Sequence, residues 1–303
     1  MESMKKKKNV GAYEKGQARA AFWFCLPILI LSIIFFVIPF GMSVVFSFTN
    51  RQLIPKAGVK TSIIGLDNYV KIFTTSTTIL SFRNTFLYAL IVVPVTLVLS
   101  TLLAVLVNKK IRYISVFRLI YFSPQVVTMT VVCIVWAFIF SPNSTGLMNS
   151  VLGLFGIEAQ RWLRDKNLAL LCIAIMYIWQ TLGLQMLIIL GGLQYIPHDL
   201  YEAASLDGCS SWKSFLYITI PGLKNTLVYV FVSVLIASLK VFTQVYVLTN
   251  GGPSNATTTV VYQLYNAGFV NGQLGYSSAI SVTFFLVVMI ISLLQNKLIE
   301  GDD

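Results

Sequence analysis

The groups able to do acid–base, nucleophilic or metal chemistry in this chain are few: eleven carboxylates, one histidine and four cysteines in 303 residues. His198 is the only histidine and stands beside Pro197 with no evident partner, so a histidine metal site or proton relay lacks a second member. Cys25, Cys133, Cys172 and Cys209 form no CxxC pair. Three of them sit in apolar runs and read as small buried side chains. No carboxylate falls inside an apolar run long enough to span a bilayer, where charge usually marks an ion or proton pathway. Apart from Arg118, which counts with the cytoplasmic segment at the edge of its run, Lys240 is the one basic group that does, about 12 Å from the outer end of its run at 1.5 Å per residue. Its stem can nearly snorkel to the interface, and the other reading is that it lines a solute path. The chain also lacks GxxxxGK[ST], the loop whose N–H groups and lysine hold nucleotide phosphates. Transport driven by ATP would need another subunit to bind the nucleotide.

These groups belong to a chain that is 56% hydrophobic and 11% charged, against roughly 25% charged in ordinary soluble domains. A spanning helix needs about 20 apolar residues, and six stretches meet the requirement: 21–48, 86–107, 116–140, 168–190, 227–248 and 279–294. The expected fold class is all-α, a polytopic membrane protein with six transmembrane helices. A basic tail at 1–20 precedes a single membrane domain at 21–299 and a short tail at 300–303. The first stretch is longer than a signal-peptide core and runs through Pro39 and Gly41 to Phe48, so it reads as a retained helix. Thirteen lysines and arginines fall on the N-terminal side of the membrane, including Lys5, Lys6, Lys7, Lys8 and the turn Lys109, Lys110 and Arg112, against eight on the other. That bias places both termini in the cytoplasm. It also accounts for the net charge of +11 without nucleic acid, for which there is no basic-aromatic face.

Between the fourth and fifth stretches the chain is too polar to cross. Pro197 can begin a helix whose first turn suits Asp199 and Glu202, and Gly208 offers a left-handed turn after it. A second short helix can follow over about 210–217, with Trp212, Phe215 and Leu216 on one side, ending before Pro221. Two short helices joined at a glycine make a knob that projects into the cytoplasm.

Glu202-Ala203-Ala204, then Gly208 after three residues, then Ile218-Thr219-Ile220-Pro221 after nine more, resembles the EAA loop of ABC importer permeases. That pattern ends in Ile-x-Leu-Pro, so Ile220 departs from it. The resemblance covers most of the chain and points to the carbohydrate branch, the maltose and glycerol-phosphate permease family. Gly65-Leu66-Asp67-Asn68-Tyr69, Asn84-Thr85, Asn149, Trp179-Gln180 and Leu248-Thr249-Asn250-Gly251-Gly252-Pro253 are among the residues that carry it. Thr243, where the family often has aspartate, and Cys209, where it usually has alanine, depart from it.

The resemblance implies a permease subunit of an ATP-driven, binding-protein-dependent importer of a sugar or polyol in the bacterial cytoplasmic membrane. It implies that this chain binds no cofactor, with ATP and magnesium on a partner ATPase. The implied partners are a cytoplasmic ABC ATPase dimer, a second permease subunit in a heterodimer, an extracytoplasmic solute-binding protein and the lipid bilayer. The loop at about 194–224 would be the coupling loop, with Glu202, Ala203, Ala204, Asp207, Gly208, Trp212, Phe215, Ile218 and Pro221 as its contact and shape residues. For the solute, Tyr177, Gln180, Thr181 and Leu184 share one face of the fourth span at i, i+3, i+4 and i+7, and Val234, Ser238 and Val241 share one face of the fifth. The resemblance puts sugar at these levels, with Lys240 a further candidate; ordinary helix packing is the competing reading. The uncharged segment 250–276 either touches a solute-binding protein or is passive.

Two other classes compete. An ion-coupled carrier or channel usually needs an intramembrane carboxylate or broken helices that cage an ion, and neither is legible here. A membrane-embedded enzyme would have to be built on Lys240 or His198, with no catalytic constellation around either.

Overall fold

A computed structural model describes residues 17, 20–55, 60–108 and 113–300, with 296–300 by backbone alone. The basic residues Lys5 to Lys8, Lys15, Arg19, Lys56, Lys109, Lys110 and Arg112 and the last residues 301–303 lie outside the described residues. Among those described, the regular structure is helical apart from one antiparallel bridge between Thr49 and Ile63.

In chain order the helices are α1 (Ala20–Ser47), α2 (Asp67–Thr74), α3 (Ser76–Val107), α4 (Ile114–Val126), α5 (Met129–Ile139) and α6 (Leu147–Leu154). There follow α7 (Ala169–Gln194), α8 (His198–Leu206), α9 (Ser211–Gly222), α10 (Lys224–Leu239), α11 (Thr243–Leu248), α12 (Val260–Tyr265) and α13 (Leu274–Glu300). Helices α1, α3, α7 and α13 are each long and apolar enough to cross a membrane, and six spans result if the bent pairs α4–α5 and α9–α10 each count as one.

The centre of the bundle is α7 packed on α3, α4 and α10. Tyr88, Val92 and Ala104 of α3 meet Ile173, Met186 and Ile189 of α7 and Val230 of α10 in one buried cluster. A second cluster joins Ile72 of α2, Leu239 of α10 and Val260 of α12 to Ala279, Ile280 and Phe284 of α13. Helix α1 packs on α13 and exposes Phe22, Ile30 and Phe36 on its outer flank, a surface that lipid or another apolar chain must cover.

Three of the expected spans differ from the structure. Helix α3 starts at Ser76, well before the apolar stretch, because its polar first turns are satisfied internally. Ser81 donates to Thr78 O at 2.7 Å, Thr85 to Ser81 O at 2.8 Å, and Thr78 meets the Tyr276 hydroxyl at 2.8 Å. The expected single helix over 116–140 instead bends by 100° between α4 and α5. Val127 and Thr128 are extended there, in a β-branched run just after Pro124. The expected helix over 227–248 also breaks, with Lys240 closing α10 and Phe242 outside helical geometry before α11.

Broken helices are therefore present where none was legible. Backbone freed inside a bilayer needs partners, and both breaks have one. Gln180 Nε2 donates to Val127 O at 3.1 Å, and Thr259 Oγ1 donates to Val241 O at 3.0 Å. These carbonyls are engaged by the protein rather than turned toward an ion.

Asparagines clamp the loops between spans. Asn68 donates to Ser47 O and Thr49 O, both at 2.8 Å. Asn149 bridges Asn143 O, Gln160 O and the Trp162 indole. Asn84 donates to Asn255 O and Thr258 O, both at 3.0 Å, and so ties the loop before α12 to α3. Asn84→Leu strands two carbonyls, at about 1–3 kcal/mol for each buried group left unsatisfied. Denaturant unfolding in detergent should show a loss of about 2 kcal/mol or more, with new protease cleavage in 250–259; unchanged stability and cleavage would contradict the clamp.

Candidate functional site

Helices α8 and α9 form the knob. Pro197 holds an extended-type ψ of 132° as the N-cap of α8, and Asp199 lies in the first turn, where acidic charge meets the positive end of the helix. The chain then closes tightly, with Asp207 N bonded to Ala203 O at 3.0 Å and Cys209 N to Ala204 O at 2.9 Å. Gly208 turns the corner at φ 69°, the left-handed region open to glycine at no steric cost. Ser210 caps α9 by accepting from Lys213 N at 3.4 Å.

Helix α9 was expected to stop before Pro221, yet it continues through it to Gly222. The reason is a π turn at Phe215–Thr219, in which Ile220 N–H bonds back to Phe215 O. The wide turn relieves the clash a proline ring makes with the preceding turn, and the proline's missing N–H falls at the seam. After Gly222 the chain bends by 69° into α10. Gly222 sits tight at this foot: a Cβ there would lie 2.8 Å from Ile196 Cδ1.

The two sides of the knob differ. Ala204 and Thr219 are buried against the rest of the chain, whereas Ala203, Asp207, Pro221 and Gly222 are exposed and Phe215 and Ile218 half-buried. Leu206 is 89% and Trp212 66% exposed, and Trp212 stacks on Phe215 with ring centroids 5.5 Å apart. An exposed leucine and tryptophan beside Glu202 and Asp207 have the composition of an interface: apolar anchors with a charged rim.

His198 does have a partner, contrary to the reading of the sequence. It is the first residue of α8, and its Nδ1 lies 3.0 Å from Glu202 Oε1, one turn on. Both side chains are well exposed, so the pair adds little to stability. His198→Ala should lower the thermal unfolding free energy by no more than about 0.5 kcal/mol; a larger loss would mean that His198 supports more than its own helix.

The residues proposed for the solute path are brought together, but inside the chain's own core. Tyr177 packs in the main cluster with Val234 and Val241, its ring 6.2 Å from that of Tyr88. Thr181 bonds Tyr177 O at 3.0 Å, Ser238 bonds Val234 O at 2.7 Å, and Gln180 spans the break after α4. Leu184 is half-buried. Lys240 stands apart, exposed where α10 ends, a position at which a cation meets the negative end of the helix.

The family of binding-protein-dependent transport system inner membrane components matches residues 96–300. The chain belongs to that family. It is a permease, a transport subunit and not an enzyme. A probable ABC transporter permease protein of Pyrococcus horikoshii is 34% identical over 273 residues, covering 89% of this chain and 92% of the relative. The arabinooligosaccharides transport system permease protein AraP of Bacillus subtilis is 31% identical over 281 residues, covering 92% of this permease and 88% of AraP. Among solved structures, a chain of a bacterial alginate ABC transporter, crystallised with an alginate pentasaccharide-bound periplasmic protein, shares the fold. Its TM-score is 0.81 at 22% identity, over 94% of this permease and 95% of that chain.

Two residues of the knob were not legible in the sequence. Tyr201 of α8 and Thr219 of α9 meet through their hydroxyls at 2.9 Å. They lie 18 residues apart and match no periodic pattern; only the loop's closure brings them together.

Proposed function

We propose that this permease carries a sugar, of the oligosaccharide class named for its relative AraP, across the bacterial cytoplasmic membrane. In this proposal the chain crosses the membrane six times, with both termini and the α8–α9 knob in the cytoplasm. An ABC ATPase dimer holding ATP and magnesium docks on the knob, with Glu202 facing a basic residue of the ATPase and Trp212 seated in its cleft. A second, different permease subunit completes the path, and a solute-binding protein delivers sugar from outside.

The observation that carries this reading is the knob itself, exposed on one side, anchored on the other, and continuous through a single bend with α10. Closure of the ATPase dimer would give contacts that differ between inward-open and outward-open states, which is what shifts a conformational equilibrium. Helix α10 carries Val234 and Ser238, so a moved knob moves one side of the buried cluster that holds Tyr177, Gln180 and Thr181 beside Leu184, and opening of that cluster would expose a path with Val241 in its wall and Lys240 apart at the end of α10. Membrane-embedded tyrosine, amide and hydroxyl groups offer a polyol both apolar faces and hydrogen bonds.

Uptake of labelled arabino-oligosaccharide into proteoliposomes holding the full complex tests this. Uptake should require ATP and the binding protein and survive ionophores; uptake that ignores ATP and collapses with ionophores would favour an ion-coupled carrier.

A further inference from the structure

We infer that Tyr201 and Thr219 form a latch that turns the knob's two helices into one lever, making both positioning residues for coupling; this rests on the coupling function proposed above. Three features of the knob carry the inference.

The first is mechanical. The corner between α8 and α9 is Gly208, at positive φ with no atom within 4 Å of where a Cβ would stand. Backbone bonds close that corner, Asp207 N–H to Ala203 O and Cys209 N–H to Ala204 O, but no side chain packs over the Gly208 Cβ position. Among the described residues, the Tyr201–Thr219 bond is the one hydrogen bond between side chains of the two helices, and it closes the open end of the hairpin that Gly208 begins.

The second is its place in the chain. Thr219 is the last residue of the π turn, whose wide ladder is a soft point in a helix and often marks a functional one. The Thr219 hydroxyl also lies 3.4 Å from Ser214 O across that turn, and its carbonyl accepts from Leu223 N at 3.0 Å at the bend into α10. A force on Glu202 or Trp212 would otherwise be absorbed twice, at the glycine corner and at the π turn. The latch bridges both soft points and passes the motion to α10.

The third is shielding. Thr219 is 5% exposed and Tyr201 half-buried, while Glu202, Leu206 and Trp212 on the outer side are open. A hydrogen bond out of solvent is stronger than one in it, and this one leaves the outer surface free for the ATPase.

Tyr201→Phe and Thr219→Val each remove one hydroxyl while keeping shape, and Thr219→Ser keeps the hydroxyl. On the purified full chain, amide exchange over α8 and α9 should rise about fivefold in the first two, the scale of one hydrogen bond, and stay native in Thr219→Ser. In proteoliposomes with ATPase, partner permease and binding protein, both variants should still assemble, yet sugar moved per ATP should fall about threefold or more. The double variant should be no worse than either single one, and Thr219→Ser should restore the ratio. Unchanged exchange, an unchanged ratio in both single variants, or a double variant as poor as the product of the two would overturn the latch. Failure of the native chain to recruit an ATPase would instead overturn the coupling function, and the exchange result would still decide the latch.

Discussion

Gly183→Ala is expected to drive α4 away from α7 and cost about 3 kcal/mol or more, at the upper end of overpacking effects. A Cβ at Gly183 would strike the Tyr121 carbonyl and come within 2.8 Å of Phe122 Cα. These are backbone atoms that no rotamer change can remove. Close approach through small residues is how helices gain contact in lipid, where hydrophobic drive between them is lost. Gly191→Ala on the same helix is the control, since nothing lies within 4 Å of its Cβ position; there the better helix former should be neutral or stabilising by up to about 1 kcal/mol. Thermal unfolding of both variants in detergent checks the contrast. Equal stability of Gly183→Ala and the native chain would mean that α4 and α7 do not meet as described.

The second large effect is on function. Gly208→Val puts a β-branched side chain at φ 69°, where even an ordinary L-residue costs about 1–2 kcal/mol. The space around it is open, so the penalty is in the backbone and the knob must reshape to relieve it. Sugar-stimulated ATP hydrolysis by the assembled complex should fall about tenfold or more, while the thermal midpoint of the bundle changes little. Gly208→Asn should retain most activity, because asparagine tolerates the left-handed region. If valine and asparagine behave alike, the side chain rather than the backbone geometry is what matters at 208.

Both substitutions concern backbone geometry, and this divides what the sequence shows from what it hides. The apolar runs located α1, α3, α7 and α13 because hydropathy reports directly on burial in lipid. Their ends were less legible: Thr78, Ser81 and Thr85 look like loop residues, yet they are buried and bonded within α3. The breaks at Val127–Thr128 and Lys240–Phe242 lie in apolar stretches without glycine, and Pro124 and Lys240 were their faint signs. What stabilises each break, Gln180 on Val127 and Thr259 on Val241, is a long-range contact that no local pattern carries.

The knob shows the same division. The left-handed turn at Gly208 was readable, since glycine is the residue that such a turn favours. The His198–Glu202 contact is readable too, from its i, i+4 spacing. Helix continuation through Pro221 was not, because it depends on a π turn whose cause lies in packing rather than in propensity. The path residues illustrate a further limit: periodicity put Tyr177, Gln180 and Thr181 on one face, but could not say that this face turns into the chain's own core. Asn68, Asn84 and Asn149, noticed through family resemblance, have a physical reason as loop clamps.

If the α8–α9 knob joins this permease to an ATPase, as proposed, the two should purify together. The most direct measurement is co-purification of the full chain with candidate ABC ATPases from the same genome, comparing the native chain with Glu202→Ala and Trp212→Ala. The native chain should retain an ATPase whose hydrolysis rises with the sugar-loaded binding protein, and the variants should lose the ATPase or that stimulation. Retention and stimulation unchanged in both variants would contradict the proposal.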